Sequence, residues 1–159
     1  ATDTIKDSFK ESAEVIEEMH SSKTTSKNNK TLNIVYLDTN GTVKQIEKNV
    51  KSNSNLDTID EVLKHLGVDD NIIYSTEIMN NQVTIDFHST VLELDKTTEK
   101  QVLNSIALTY ILSKDCEGIY YYIDGNSYSS DNITVVDGFY MSKNILLNNW
   151  DDLYPNRLN

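Results

Sequence analysis

Few residue types in this chain could carry chemistry: one thiol, three imidazoles, scattered carboxylates and a run of tyrosines. Cys116 is the single cysteine, which excludes an internal disulfide and any Cys-x-x-Cys redox or zinc motif. It falls at the end of an expected helix, where the dipole disfavours the thiolate. It therefore reads as a small buried apolar group. His88 stands directly before Ser89. Adjacent residues of an extended chain point to opposite faces, and no glycine-rich elbow surrounds the serine. A nucleophilic site needs a nucleophile, a base and an orienting group together, and the chain is read as a non-enzyme. His20, His65 and His88 lie on different elements, and none has a second histidine three or four residues away. No zinc site is expected on that spacing. Asp69-Asp70 and Asp151-Asp152 lack the calcium-loop spacing and read as helix caps or solvated loop carboxylates. No glycine-rich phosphate cradle is present, so no cofactor is expected. The net charge of -11 and pI near 4.6 argue against nucleic acid and anionic lipid as partners.

The tyrosines are the more informative group. In EGIYYYIDG, residues 117–125, alternation puts Ile119, Tyr121 and Ile123 on one face and Tyr120 and Tyr122 on the other. The first face is apolar enough to lie under helices. The second suits a half-wet contact surface, with Tyr128 or Tyr140 beside it. Tyr120, Tyr122 and Tyr128 are therefore candidate interaction residues. Asp86 is the fourth. It alternates away from Val83, Ile85 and Phe87, and reads either as a contact to a partner or as a turn anchor. The anchor reading is favoured, because a carboxylate holding N–H groups of the following loop needs no partner.

The elements that must position these residues follow from pattern. Ile5, Phe9, Ala13 and Ile16 form a narrow apolar stripe on a leading helix. Ser21 to Lys30 has no apolar residue and reads as a polar linker, so 1–30 is separated from a compact domain over 31–159. LNIVYLD and VKQIEKNV read as strands around an Asn-Gly turn. Ser54 opens a helix with Leu56, Ile59, Val62, Leu63 and Leu66 inward, closed by Gly67. A hairpin turning at Asn80-Asn81 follows. A second helix is expected from Thr98, where Thr98 and Gln101 have capping-box spacing, to about Lys114. Its buried side is Val102, Leu103, Ile106, Ala107 and Tyr110. Strands 117–125 and 133–141 follow, then a tail with Trp150, Tyr154 and Pro155. The expected class is α+β: two helices on one face of a mixed or antiparallel sheet, with an extra N-terminal helix. No run of ~18 apolar residues occurs.

Several of these motifs stand in a familiar order. NIVYLDTNG, the helix end LKHLG, Ile85-Asp86-Phe87-His88-Ser89, EKQVLNSIALTY with Thr109, and the closing Asp124-Gly125 resemble the sporulation and spore germination (GerMN) domain family. The resemblance spans about Leu32 to Met141. It departs at Gly67-Val68, where the family often has Gly-Pro, and at His88, which precedes Ser89 or stands in its place. It implies a non-catalytic, extracytoplasmic assembly module of a bacterial, Gram-positive cell envelope, similar to ring-building domains of sporulation complexes. It also implies a lipoprotein or membrane-anchored setting, through a segment ahead of Ala1, with protein partners or copies of itself. An alternative reading is a module binding cell-wall glycan or peptide on the open-face tyrosines.

Overall fold

The computed structural model describes residues 30–51 and 55–155. The expected leading helix, its linker up to residue 29 and the Ser54 cap lie outside the described residues, and so does the side chain of Leu56; Lys30, expected to end the linker, is the first residue of a strand. The chain opens with the antiparallel pair β1 (Lys30–Leu37) and β2 (Val43–Val50). Asp38 builds the turn between them. Its Oδ1 accepts the Thr42 and Asn40 N–H groups at 2.8 and 2.9 Å, and its Oδ2 lies 3.1 Å from Lys44. The Thr42 N–H leads in holding this carboxyl below its ordinary value.

Helix α1 (Asn55–Leu66) buries Ile59, Val62 and Leu63 completely. It stops in a Schellman arrangement: the Val68 N–H reaches the Leu63 carbonyl and the Gly67 N–H the Lys64 carbonyl, with Gly67 at φ +74°. Strands β3 (Ile73–Met79) and β4 (Gln82–Phe87) form the expected hairpin. Asn80 and Asn81 both have positive φ, the twist-matched two-residue turn.

Helix α2 (Lys96–Leu108) starts earlier than expected. Asp95, not Thr98, is the cap: its carboxylate accepts the Thr98 N–H at 2.7 Å. A charged oxygen there satisfies an orphan donor and also complements the helix dipole. The helix continues as a π turn over Thr109–Ser113. Then come β5 (Gly118–Ile123), the two-residue β6 (Asn126–Ser127) and β7 (Phe139–Ser142). The short helices α3 (Lys143–Asn148) and α4 (Trp150–Leu153) close the described chain. Among the described residues no helix is long and apolar enough to cross a membrane.

The class is α+β, but the strands divide between two sheets. One is the β1–β2 pair; the other has five strands. In the second, β4 and β5 run parallel, joined by the α2 crossover, and the far side of β5 is shared by β7 along its first half and β6 along its second. No strand is needed beside β1, because α2 supplies the hydrogen bonds. Thr109 Oγ1 accepts the Val35 N–H at 3.0 Å and donates to the Val35 carbonyl at 2.9 Å. Ser105 Oγ accepts the Leu37 N–H at 2.9 Å, and Gln101 Nε2 donates to the Leu37 carbonyl at 3.1 Å. Positions 101, 105 and 109 recur every four residues and so share one helix face. That polar stripe satisfies backbone groups that burial would otherwise leave unpaired. On its other side α2 meets the large sheet, where the Tyr121 hydroxyl donates to the Leu103 carbonyl at 2.6 Å.

Candidate interaction surface

The large sheet has one dry face and one open face. Val83, Ile85 and Phe87 of β4 and Ile119 and Tyr121 of β5 are fully buried on the first. Register then fixes the second as rows across the strands. Glu77, Thr84, Tyr120 and Phe139 make one row, and Ser75, Asp86 and Tyr122 the next. Tyr120, Tyr122 and Phe139 are half-buried, while Ser75 and Glu77 are exposed. The Tyr120 ring meets Phe139 edge-on at 5.7 Å. The Tyr122 hydroxyl donates to the Asp137 carbonyl at 3.1 Å. Its ring lies on Gly138, where an added Cβ would come within 2.4 Å of a ring carbon. Gly138 also has φ +78°, a conformation that glycine tolerates. The aromatic surface is thus held in place by its own turn.

Asp86 is an anchor, though not of the loop that follows it. Its Oδ1 accepts the Gly125 N–H at 3.0 Å, across the sheet in the turn after β5. Parallel pairing explains the change. Strands β4 and β5 end at the same edge, with Asp86 opposite Tyr122, so the Asp124-Gly125 turn comes within reach. The Asp124 N–H closes the tie by donating to the Phe87 carbonyl.

Tyr128, expected beside Tyr120 and Tyr122, is instead fully buried. Its hydroxyl donates to Glu99 Oε2 at 2.5 Å and its ring packs edge-on against Phe87 at 5.7 Å. The antiparallel register turns it inward: Ser127 is opposite Tyr122 on the open face, so the next residue stands opposite the buried Tyr121, whose carbonyl accepts the Tyr128 N–H. Tyr140 also faces inward, 4.8 Å from Tyr121, because a register shift interrupts the β5–β7 pairing. Burial pushes the Tyr121, Tyr128 and Tyr140 hydroxyls well above the ordinary phenol range. Glu99 stands in the first turn of α2. It is 3% exposed and also accepts from Asn132 Nδ2 at 2.7 Å, so it pins the 128–135 loop. The dipole alone accounts for an acid in a first turn, which is why the sequence does not signal this second role.

Cys116, His65 and the adjacent pair His88-Ser89 fall on three different parts of the chain. Cys116 is buried, and that burial raises its thiol. His88 packs edge-on against Tyr74 at 5.2 Å, and Ser89 begins a 3-10 turn. His65 packs against Tyr36 at 4.3 Å; desolvation, then Lys48, lowers its imidazole. Among the described residues no three His, Cys, Asp or Glu side chains come together to hold a metal ion.

No family model and no curated protein matches the chain. Among solved structures it is similar to the tandem GerMN domains of the sporulation protein GerM from Bacillus subtilis. There the identity is 17% and the TM-score 0.47, covering 72% of this chain and 48% of that one. It is also similar to the first GerMN domain of that protein, at 12% identity and TM-score 0.47, covering 72% of this chain and 98% of that one. The chain therefore spans about half the length of the tandem structure. Both are GerMN domains, the family that the sequence motifs resemble.

Proposed function

We propose that this domain is a non-catalytic interaction module of the bacterial cell envelope, acting outside the cytoplasm in sporulation or spore germination. Its contact surface is the open face around Tyr120 and Tyr122, and its partners are proteins or further copies of itself. The observation that carries this is the half-exposed aromatic patch formed by Tyr120, Tyr122 and Phe139 on neighbouring rows. Tyr120 packs on Phe139, and Tyr122 is pinned on Gly138. Aromatic side chains held in one geometry lose little entropy on contact and are favoured at interfaces. The sporulation setting rests on the GerMN-like motifs. The non-catalytic reading is supported by the burial of Cys116, which disfavours its thiolate, and by the packing of His65 and His88 against tyrosine rings.

Tyr120→Ser is the test, because Tyr122 also braces a turn. The variant should weaken self-association, read by sedimentation, or capture of envelope proteins by a photo-crosslinker placed at Thr84, by at least roughly tenfold, as loss of an interface anchor does. Stability should fall by only about 1 kcal/mol. Unchanged association would overturn the assignment of this face. Loss of binding to wall glycan fragments, with protein association intact, would favour the alternative of a wall-ligand module.

A further inference from the structure

The open face has a charge pattern that narrows its partner. Among the outward strand positions of β3, β4, β5 and β7, the charged residues are Glu77 and Asp86, both acidic. Among the described residues neither forms an ion pair with a lysine or arginine. Lys143, next to the end of β7, is paired with Asp115. Each carboxylate shares a row with a tyrosine. Asp86 is directly opposite Tyr122, and Glu77 lies in the row of Tyr120, with Thr84 between. Neighbouring strands are ~4.8 Å apart, so each row carries a half-buried tyrosine and a carboxylate ~5–10 Å from it along the row, Asp86 through the oxygen that does not hold Gly125. Tyr120 and Tyr122 are two residues apart on one strand, which spaces the rows by ~6.7 Å.

We propose that this face binds an extended peptide segment carrying Lys or Arg at every second position. The side-chain repeat of such a strand is the same ~6.7 Å, so successive cations fall on successive rows. Each cation meets a ring quadrupole on one side and a carboxylate on the other. Charge complementarity and spacing together select this occupant. A second copy of the same face would bring carboxylates against carboxylates. The proposal rests on the reading of this face as the contact surface and adds the chemistry of what it contacts.

Two synthetic heptapeptides of identical composition test it: Thr-Lys-Thr-Lys-Thr-Lys-Thr, and Thr-Thr-Lys-Lys-Lys-Thr-Thr. Their charge is equal, so nonspecific attraction to an acidic protein acts on both. In titration calorimetry at about 150 mM salt, where long-range attraction is screened, the alternating peptide should bind at least roughly fivefold more tightly, the value of one partly desolvated cation–π contact. Glu77→Lys should weaken it by roughly tenfold through a like-charge contact. Asp152→Lys makes the same charge change on α4, and should weaken it by no more than about twofold, as a screened remote charge does. Tyr120→Leu, which keeps an apolar side chain and removes the phenol ring, should cost roughly fivefold. Equal binding of the two peptides, equal losses for Glu77→Lys and Asp152→Lys, or no binding at all would each overturn the proposal. None of these results would touch the Tyr120→Ser association assay, which decides the contact-surface reading separately.

Discussion

The Thr109 hydroxyl exchanges two hydrogen bonds with Val35 across 74 residues of sequence, and both groups are buried. Thr109→Val removes that oxygen and strands an N–H and a carbonyl at the edge of β1. A buried unsatisfied group costs about 1–3 kcal/mol, so urea unfolding should show a loss of about 2–4 kcal/mol. Thr109→Ser, which keeps the hydroxyl, should lose about 1 kcal/mol for the missing methyl. A Val variant as stable as the Ser variant would mean that water reaches this edge. At this scale the sequence marks residue types better than partners. Thr109 stands out near a helix end and Asp86 reads as an anchor, but Val35 and Gly125 are invisible as their partners. Helix periodicity tells which face is buried, not what lies against it, and Asp86 reaches Gly125 only because β4 and β5 pair in parallel. Tyr128 shows the opposite failure. Alternation holds through the β5–β6 hairpin, but its register, Ser127 opposite Tyr122, is what sends Tyr128 to the side of Tyr121, and register is not written in either strand alone.

Elements with a strong local signal are those that the sequence makes legible. Asn80-Asn81, Gly67 and the buried side of α2 each depend on backbone or periodicity rules that act within a few residues. The split into two sheets is not local. It follows from a polar stripe on α2 taking the place of a neighbouring strand. The Asp137-Gly138 turn combines both levels. It has the positive φ that an Asp-Gly pair favours, and it lies under a ring from another strand. Gly138→Ala should therefore cost more than backbone strain alone. Gly125 is the internal reference: its φ is +82°, with nothing within 4 Å of an added Cβ. Gly125→Ala should cost about 1 kcal/mol, and Gly138→Ala about 2–4 kcal/mol once the displaced Tyr122 ring is included. Thermal unfolding of the two variants measures the difference. Equal losses would mean that the ring yields freely and does not brace the surface.

At the scale of the whole molecule, the buried titratable groups among the described residues are mostly phenolic. Tyr110, Tyr121, Tyr128, Tyr140 and Tyr154 are five of the nine tyrosines, and all five are raised above the ordinary value of 10.0. Burial is the first cause in each, since a phenolate cannot be solvated in a dry interior. The buried Glu99 carboxylate adds repulsion at Tyr128 and Tyr140. A raised folded-state value means that the folded chain holds protons which the unfolded chain releases. Stability from this source is complete below about pH 10 and falls as the pH rises past it. Each phenol contributes a slope of about 1.4 kcal/mol per pH unit. Five together approach about 7 kcal/mol per unit, comparable with the 5–15 kcal/mol that holds a typical domain folded. The domain should therefore resist alkali to somewhat above pH 10 and then unfold within about one unit. Tyrosinate absorbance and loss of far-ultraviolet circular dichroism should rise together over that interval. Tyr140→Phe should move the midpoint upward, because it removes one releasable proton and keeps the ring. If all nine phenols instead titrated gradually around pH 10 with the dichroism unchanged, water would already reach this cluster, and the dry face of the sheet would not be dry.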